Sequence, residues 1–323
     1  MNKTEFVKQQ ESLLRQLQKW CGAIPVGGPL NIIEKERREY RTHTEIKLSY
    51  DGDPGERIPA YLLIPRGIGT ERRPAIFAAH QCAWACDIGK EQVAGKSVDW
   101  PDQAYGLELV REGFVVLAPD ANKVGERFDP ALREQWQTAA DLGNSQHACC
   151  TSGGGSWGNQ SSHWKRVYDV MRGIDVLCQN EHVNPERIGM IGHSLGAATT
   201  LWTMPQEKRI IAGVISGGSL MGLGAWPHGL PYSDILQLIA PRPFFEAVGN
   251  EDYPNICEAA KKSLPTEERM TAKHDVHKQA KEFYKLYDQA DGLELFVFNG
   301  GHQFPEAARK ASYAFLKRHL MPR

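Results

Sequence analysis

Ser194 lies at the centre of Gly192-His193-Ser194-Leu195-Gly196, a G-x-S-x-G pattern. An apolar run, Ile188 to Ile191, precedes it, and Ala197, Ala198 and two threonines follow. That succession reads as strand, sharp turn and helix, a nucleophile elbow with the serine hydroxyl at its apex. A Cβ at Gly192 or Gly196 would collide with the crossing strand or helix. The helix behind the turn aims free N–H groups and a positive dipole end at the reacting atom. A serine hydroxyl is a weak nucleophile near neutral pH, so the chemistry needs a base to take its proton and an acid to orient the base.

In an elbow of this kind the acid and the histidine follow the serine in that order, just past the carboxyl ends of strands. After the run ending at Phe298 comes Asn299-Gly300-Gly301-His302-Gln303-Phe304, which puts His302 on a glycine-bounded loop. His319 falls in a helical stretch, His274 and His277 lie away from strand ends, and His193 packs within the elbow. After Val248 the chain reads Gly249-Asn250-Glu251-Asp252, so the acid is Glu251 or Asp252. Asp252 is preferred, because its shorter side chain suits a buried orienter. Glu246 lies inside the strand. The backbone N–H groups of Leu195 and of Gln81 or Cys82, after the strand 75–79, are placed to form an oxyanion hole.

The elements that must position these groups alternate. Residues 4–20 predict a helix capped by Thr4, with Leu13, Leu17 and Trp20 on one face. This helix docks on the main domain, forms a dimer contact or lies over the site. Residues 22–30 read as a linker, and 42–48 with 58–64 as an antiparallel hairpin. Strands follow at 75–79, 114–118, 188–191, 212–215, 244–248 and 293–298. Helices are expected at 102–112, 162–179, 277–290 and 305–319. The expectation is a mostly parallel eight-stranded α/β sheet with helices on both faces. A helical extension occupies 1–40, and a main domain 41–323 carries a long irregular insertion at 121–161.

The chain has 323 residues, 41% of them apolar and 24% charged, with a net charge of -1. Nothing in that balance suggests a polyanionic partner such as nucleic acid. No apolar run is long enough to span a membrane, and the charged N-terminal stretch lacks a signal-peptide core. The seven cysteines follow no disulfide framework, which fits a cytoplasmic location. Cys82 and Cys86 find no second ligand pair, so neither metal nor cofactor is expected.

The phrases PAIFAAHQ with GKEQVAG, GFVVLAPD with VGERF, NPERIGMIGHSLGAATT, APRPFFEAVGNEDYPN and NGGHQFP cover most of residues 57–320. Together they resemble the α/β-hydrolase superfamily, and within it the dienelactone-hydrolase-like and acetyl-xylan-esterase-like branch. Dienelactone hydrolases proper are shorter and use a cysteine nucleophile, whereas serine stands here. The resemblance implies Ser194 as nucleophile, Asp252 as acid and His302 as base, and a metal-independent hydrolysis of carboxylic esters or lactones. The expected activity is a serine esterase acting on small acyl groups such as those of acetylated carbohydrate. A peptidase or amidase with the same triad is the alternative, and a non-catalytic binding protein on the same fold comes third. The expected partner is a small-molecule ester, with homo-oligomerisation left open.

Several residues could read the substrate. Trp84, Trp157, Trp226 and Phe304 could stack on a sugar or hold an acyl group. His193 would line the site, and Glu126 and Arg127 could bind a polar substrate or form an ion pair. Trp136, His147 and Gly153-Gly154-Gly155 share the long insertion.

Overall fold

The computed structural model describes residues 1–21, 24–82, 87–129, 162–217, 230–252 and 266–321. Nine strands among these residues form one sheet: β1 (Ile33–Glu39), β2 (His43–Asp51), β3 (Arg57–Pro65), β4 (Arg73–Ala79), β5 (Val115–Pro119), β6 (Val183–His193), β7 (Ile210–Ser216), β8 (Phe244–Gly249) and β9 (Leu293–Phe298). Their spatial order is β1-β2-β3-β5-β4-β6-β7-β8-β9. The first three pairings are antiparallel and the other five are parallel.

The central strands are short runs of Val, Ile, Ala and Phe, buried on both faces as a parallel sheet requires. Alternate residues face opposite layers. Ala75, Phe77 and Ala79 of β4 join one core, while Ile76 and Ala78 join the other. The first layer holds α1 (Lys3–Cys21), α4 (Ser162–Gln179), α5 (Leu195–Thr203), α6 (Tyr232–Ile239) and α7 (Thr266–Lys285). The second holds α2 (Lys90–Val93), α3 (Tyr105–Arg111) and α8 (Glu306–Leu320). The result is a three-layer α/β/α arrangement.

The expectation of eight strands needs correction, and the extra strand falls within the extension 1–40. β1 is a ninth strand, and all seven of its residues are exposed. Its sequence, IEKERRE, has no apolar alternation to reveal it. Backbone pairing to β2 makes the strand, without help from burial. The helix expected at 277–290 begins earlier, at Thr266.

The start of α1 also differs from expectation. The backbone N–H of Glu5 donates to Asn2 Oδ1 at 3.0 Å, and that of Asn2 donates to Glu5 Oε2 at 2.8 Å. This reciprocal pair makes Asn2 the cap in place of Thr4. Phe6 is fully buried and stacks on Phe283, with ring centroids 4.8 Å apart. Gln10 Nε2 donates to the carbonyls of Gln237 and Ala240. The helix therefore docks on α6 and α7. Among the described residues, no helix is long and apolar enough to cross a membrane.

Candidate active site

β6 runs to His193, and α5 starts at Leu195, leaving one residue to turn the chain. Ser194 takes φ 55° and ψ −112°, a conformation costly for a residue with a Cβ. Its backbone N–H donates to the carbonyl of Ser216 at the end of β7, at 2.8 Å. A Cβ on Gly192 would collide with the backbone of Gly196, and one on Gly196 with the carbonyl of Ala79. The elbow can close only with glycine at both positions. The side chain it presents remains partly open to solvent.

Asp252 and His302 come from the loops after β8 and β9, which are stitched together. The N–H of Glu251 donates to the carbonyl of Gly300 at 2.9 Å, and that of Gly300 to Asn250 Oδ1 at 3.0 Å. Asn250 Nδ2 donates to Asn299 Oδ1 at 3.0 Å. His302 Nδ1 lies 2.9 Å from Asp252 Oδ1. A carboxylate oxygen accepts here, so Nδ1 carries the proton and Nε2 presents the lone pair that can act as a base. Asp252 is 1% exposed, whereas Glu251 is exposed. The histidine thus meets the shorter of the two carboxylates.

Ser216 and Gly217 bring the serine and the histidine to one place. Ser216 receives the Ser194 N–H, and Gly217, at φ +59°, lies under the histidine rings. A Cβ on Gly217 would stand 3.0 Å from His302 Nδ1 and 3.1 Å from His193 Cε1. His193 is buried, with its ring centroid 4.8 Å from that of His302 and 6.0 Å from that of Phe304. Its Nδ1 lies 3.2 Å from Ser216 Oγ. Burial and the neighbouring His302 push its pKa well below the ordinary histidine value, so it stays neutral. Sequence reasoning did not single out Ser216 or Gly217. The Ser-Gly-Gly run after the β7 pattern was their signal.

The loop after β4 carries Gln81 and Cys82 beside the elbow, because Gly196 packs on the carbonyls of Ala79 and His80. His80 braces that loop. Its Nε2 accepts the N–H of Ala121 at 2.9 Å, so Nδ1 holds the proton and donates to the carbonyl of Gln81 at 2.6 Å.

Three of the candidate substrate-reading residues lie elsewhere than that role requires. Phe304 has no exposed surface; it packs against Tyr105 and His193 as core. Glu126 accepts from Lys90 at 2.7 Å and from Lys47 at 2.9 Å. Burial works against its charge, but the two lysines prevail and hold its pKa down to about 2. Arg127 pairs with Asp169 at 2.7 Å and Glu56 at 3.0 Å. Both charges are engaged in ion pairs that tie the loop after β5 to the sheet and to α4. His193 is buried within the site, packed against His302 and Phe304. Trp84, Trp157, Trp226, Trp136, His147 and Gly153-Gly154-Gly155 lie outside the described residues. Among the described residues, no group of three or more His, Cys, Asp or Glu side chains could hold a metal ion.

With the geometry in place, comparison with known proteins gives the fold its name. Across 99% of this chain and 94% of its own, a glucuronoyl esterase from Solibacter usitatus superposes with a TM-score of 0.65 at 14% identity. The chain has the α/β-hydrolase fold. A methylesterase superposes at a TM-score of 0.67 and 16% identity, over 98% of this chain and 65% of its own. An acetyl xylan esterase from Paenibacillus sp. R4 does so at 0.54 and 15% identity, over 99% and 96%. In sequence, the chain is 26% identical over 329 residues to YtaP of Bacillus subtilis (strain 168), a protein described as a hydrolase. That match covers 95% of this chain and 98% of YtaP. The platelet-activating factor acetylhydrolase of Canis lupus familiaris is 24% identical over 67% of this chain, and the chain spans 53% of that protein. Residues 154–226, around the elbow, match the prolyl oligopeptidase family.

Proposed function

We propose that this chain is a serine esterase that cleaves carboxylic esters of small acyl groups through Ser194, His302 and Asp252. The observation that carries the reading is the 2.9 Å contact between His302 Nδ1 and buried Asp252, beside an elbow that strains Ser194 outward. Ser194 Oγ attacks the ester carbonyl while His302 Nε2 takes its proton. Asp252 holds the tautomer and stabilises the imidazolium. The N–H of Leu195 and one from Gln81 or Cys82 receive the oxyanion, each donor contributing about 3–4 kcal/mol in the transition state. His302 then protonates the leaving alkoxide. Water, deprotonated in turn by His302, attacks the acyl-enzyme and releases the acid. The esterases among the structural relatives support this class of substrate, and acetylated carbohydrate is the natural first group to try.

The test is hydrolysis of p-nitrophenyl acetate, butyrate and octanoate by the wild type and Ser194→Ala. Turnover is expected to favour acetate and to fall by about 10⁴–10⁶-fold in the variant with the fold intact. Undiminished hydrolysis by folded Ser194→Ala protein would remove the proposal. The match around the elbow to the prolyl oligopeptidase family favours a second reading, a peptidase with the same triad. Peptide p-nitroanilides cleaved faster than the aryl esters would select it.

A further inference from the structure

A pocket of about 30 Å³ lies between the ends of β4 and β5 and the helices α4 and α5. Ile58, Phe77 and Val170 give it apolar walls, and Arg166 on α4 is its unusual feature. Arg166 is 3% exposed, and its Nε and Nη1 are buried without a hydrogen-bond partner among the described residues.

The other polar groups around the pocket are engaged. Thr199 Oγ1 donates to the carbonyl of Leu195 at 2.8 Å, and His80 spans Gln81 and Ala121. Asp120 accepts from Lys90 Nζ at 2.7 Å. Asp169 accepts from Arg127 and Lys165. Both carboxylates therefore have their cations already, and among the described residues Nε and Nη1 of Arg166 are the groups left for a ligand. A buried charge without a partner is destabilising, so its presence beside a reactive centre points to recognition.

The pocket adjoins the elbow. Ala79 and His80 line it and also touch Gly196. Thr199 stands five residues beyond Ser194, about 7 Å along the helix axis. One water needs about 10–15 Å³, so the pocket suits a polar head of a few atoms. A guanidinium favours a planar carboxylate.

We propose that Arg166 recognises a carboxylate on the substrate, held in this pocket while the ester group lies at Ser194. The proposal rests on the esterase reading, and it makes the preferred substrate an acidic ester whose two groups are separated by about the width of a benzene ring.

The experiment compares kcat/KM for 4-acetoxybenzoate and 3-acetoxybenzoate with that for their neutral carboxamide twins, in the wild type, Arg166→Gln and Arg166→Lys. The wild type is expected to prefer at least one carboxylate by tenfold or more. That ratio should fall to near one in Arg166→Gln and be partly retained in Arg166→Lys. A ratio near one in the wild type, or one that persists in Arg166→Gln, overturns the proposal while leaving Ser194-dependent hydrolysis standing. A binding readout needs no turnover. At matched ionic strength, 4-hydroxybenzoate should raise the wild-type Tm, 4-hydroxybenzamide should not, and Arg166→Gln should lose the effect. If no ester is hydrolysed but this shift persists, the esterase reading fails and the pocket stands. If Arg166→Gln does not fold, the Arg166→Lys ratio decides, an unchanged value counting against the guanidinium.

Discussion

At the scale of single residues, two substitutions separate orientation from chemistry. Asp252→Asn keeps the shape of the orienter but lets Nδ1 of His302 take the wrong tautomer. A loss of about 10⁴-fold in kcat is expected, with Tm little changed. Gly217→Ala adds a Cβ 3.0 Å from His302 Nδ1, on a backbone at φ +59° that alanine resists. Displacing the base by a few tenths of an ångström up to 1 Å is expected to cost up to about 10²-fold in kcat, with KM moving less. Steady-state kinetics on one aryl acetate would check both. Much of this site was legible. Ser194, Asp252 and His302 each sit just past a strand whose apolar run is plain in the sequence, and the fold fixes their order. Arg166, Ser216 and Gly217 were hidden because their importance lies in what surrounds them. The surroundings of a guanidinium have no sequence signature, and neither does a glycine under a pair of rings.

Elements were legible where a hydrophobic period marked them. The limits of β9 and α4 read directly from the residues, whereas β1 is held by backbone pairing that composition does not record. α7 was also misplaced, because part of what fixes it is polar. Its Lys273 and His277 are buried against Glu246 of β8, at 3.0 and 2.6 Å, and Tyr232 OH donates to the same carboxylate at 2.6 Å. Burial alone would raise the Glu246 pKa, but Lys273, His277 and Tyr232 lower it from the ordinary 4.5 to about 2. Between those values the unfolded chain binds the proton and the folded one does not. The contribution is therefore fully present above pH 4.5 and is lost as the pH falls toward 2. Glu246→Gln leaves Lys273 buried without its carboxylate, which is expected to cost about 3–5 kcal/mol at neutral pH. The same variant should show a shallower fall in Tm between about pH 5 and pH 2. An equally steep fall in the variant would place the acid sensitivity elsewhere.

For the molecule as a whole, the sheet and its two helical layers enclose two cores, and α1 is an addition to one of them. Phe6→Ala removes the ring that stacks on Phe283. Full burial of that ring sets a loss of up to about 3 kcal/mol, limited because the helix can undock by itself. Faster proteolysis near residues 24–30, with Ser194-dependent turnover retained, is the expected outcome. The opposite side of the molecule ends in β1, an outermost strand whose far side has no neighbouring strand among the described residues. Such a margin is a template on which another chain could crystallise a tenth strand, and then another, into a fibre. Six of its seven residues carry charge, and Glu34 with Arg37 and Glu36 with Arg38 satisfy one another locally. An approaching strand would have to strip water from all of them to dock. A stretch that adds nothing to the core thus puts a charged, hydrated border where a smoother one would invite such growth.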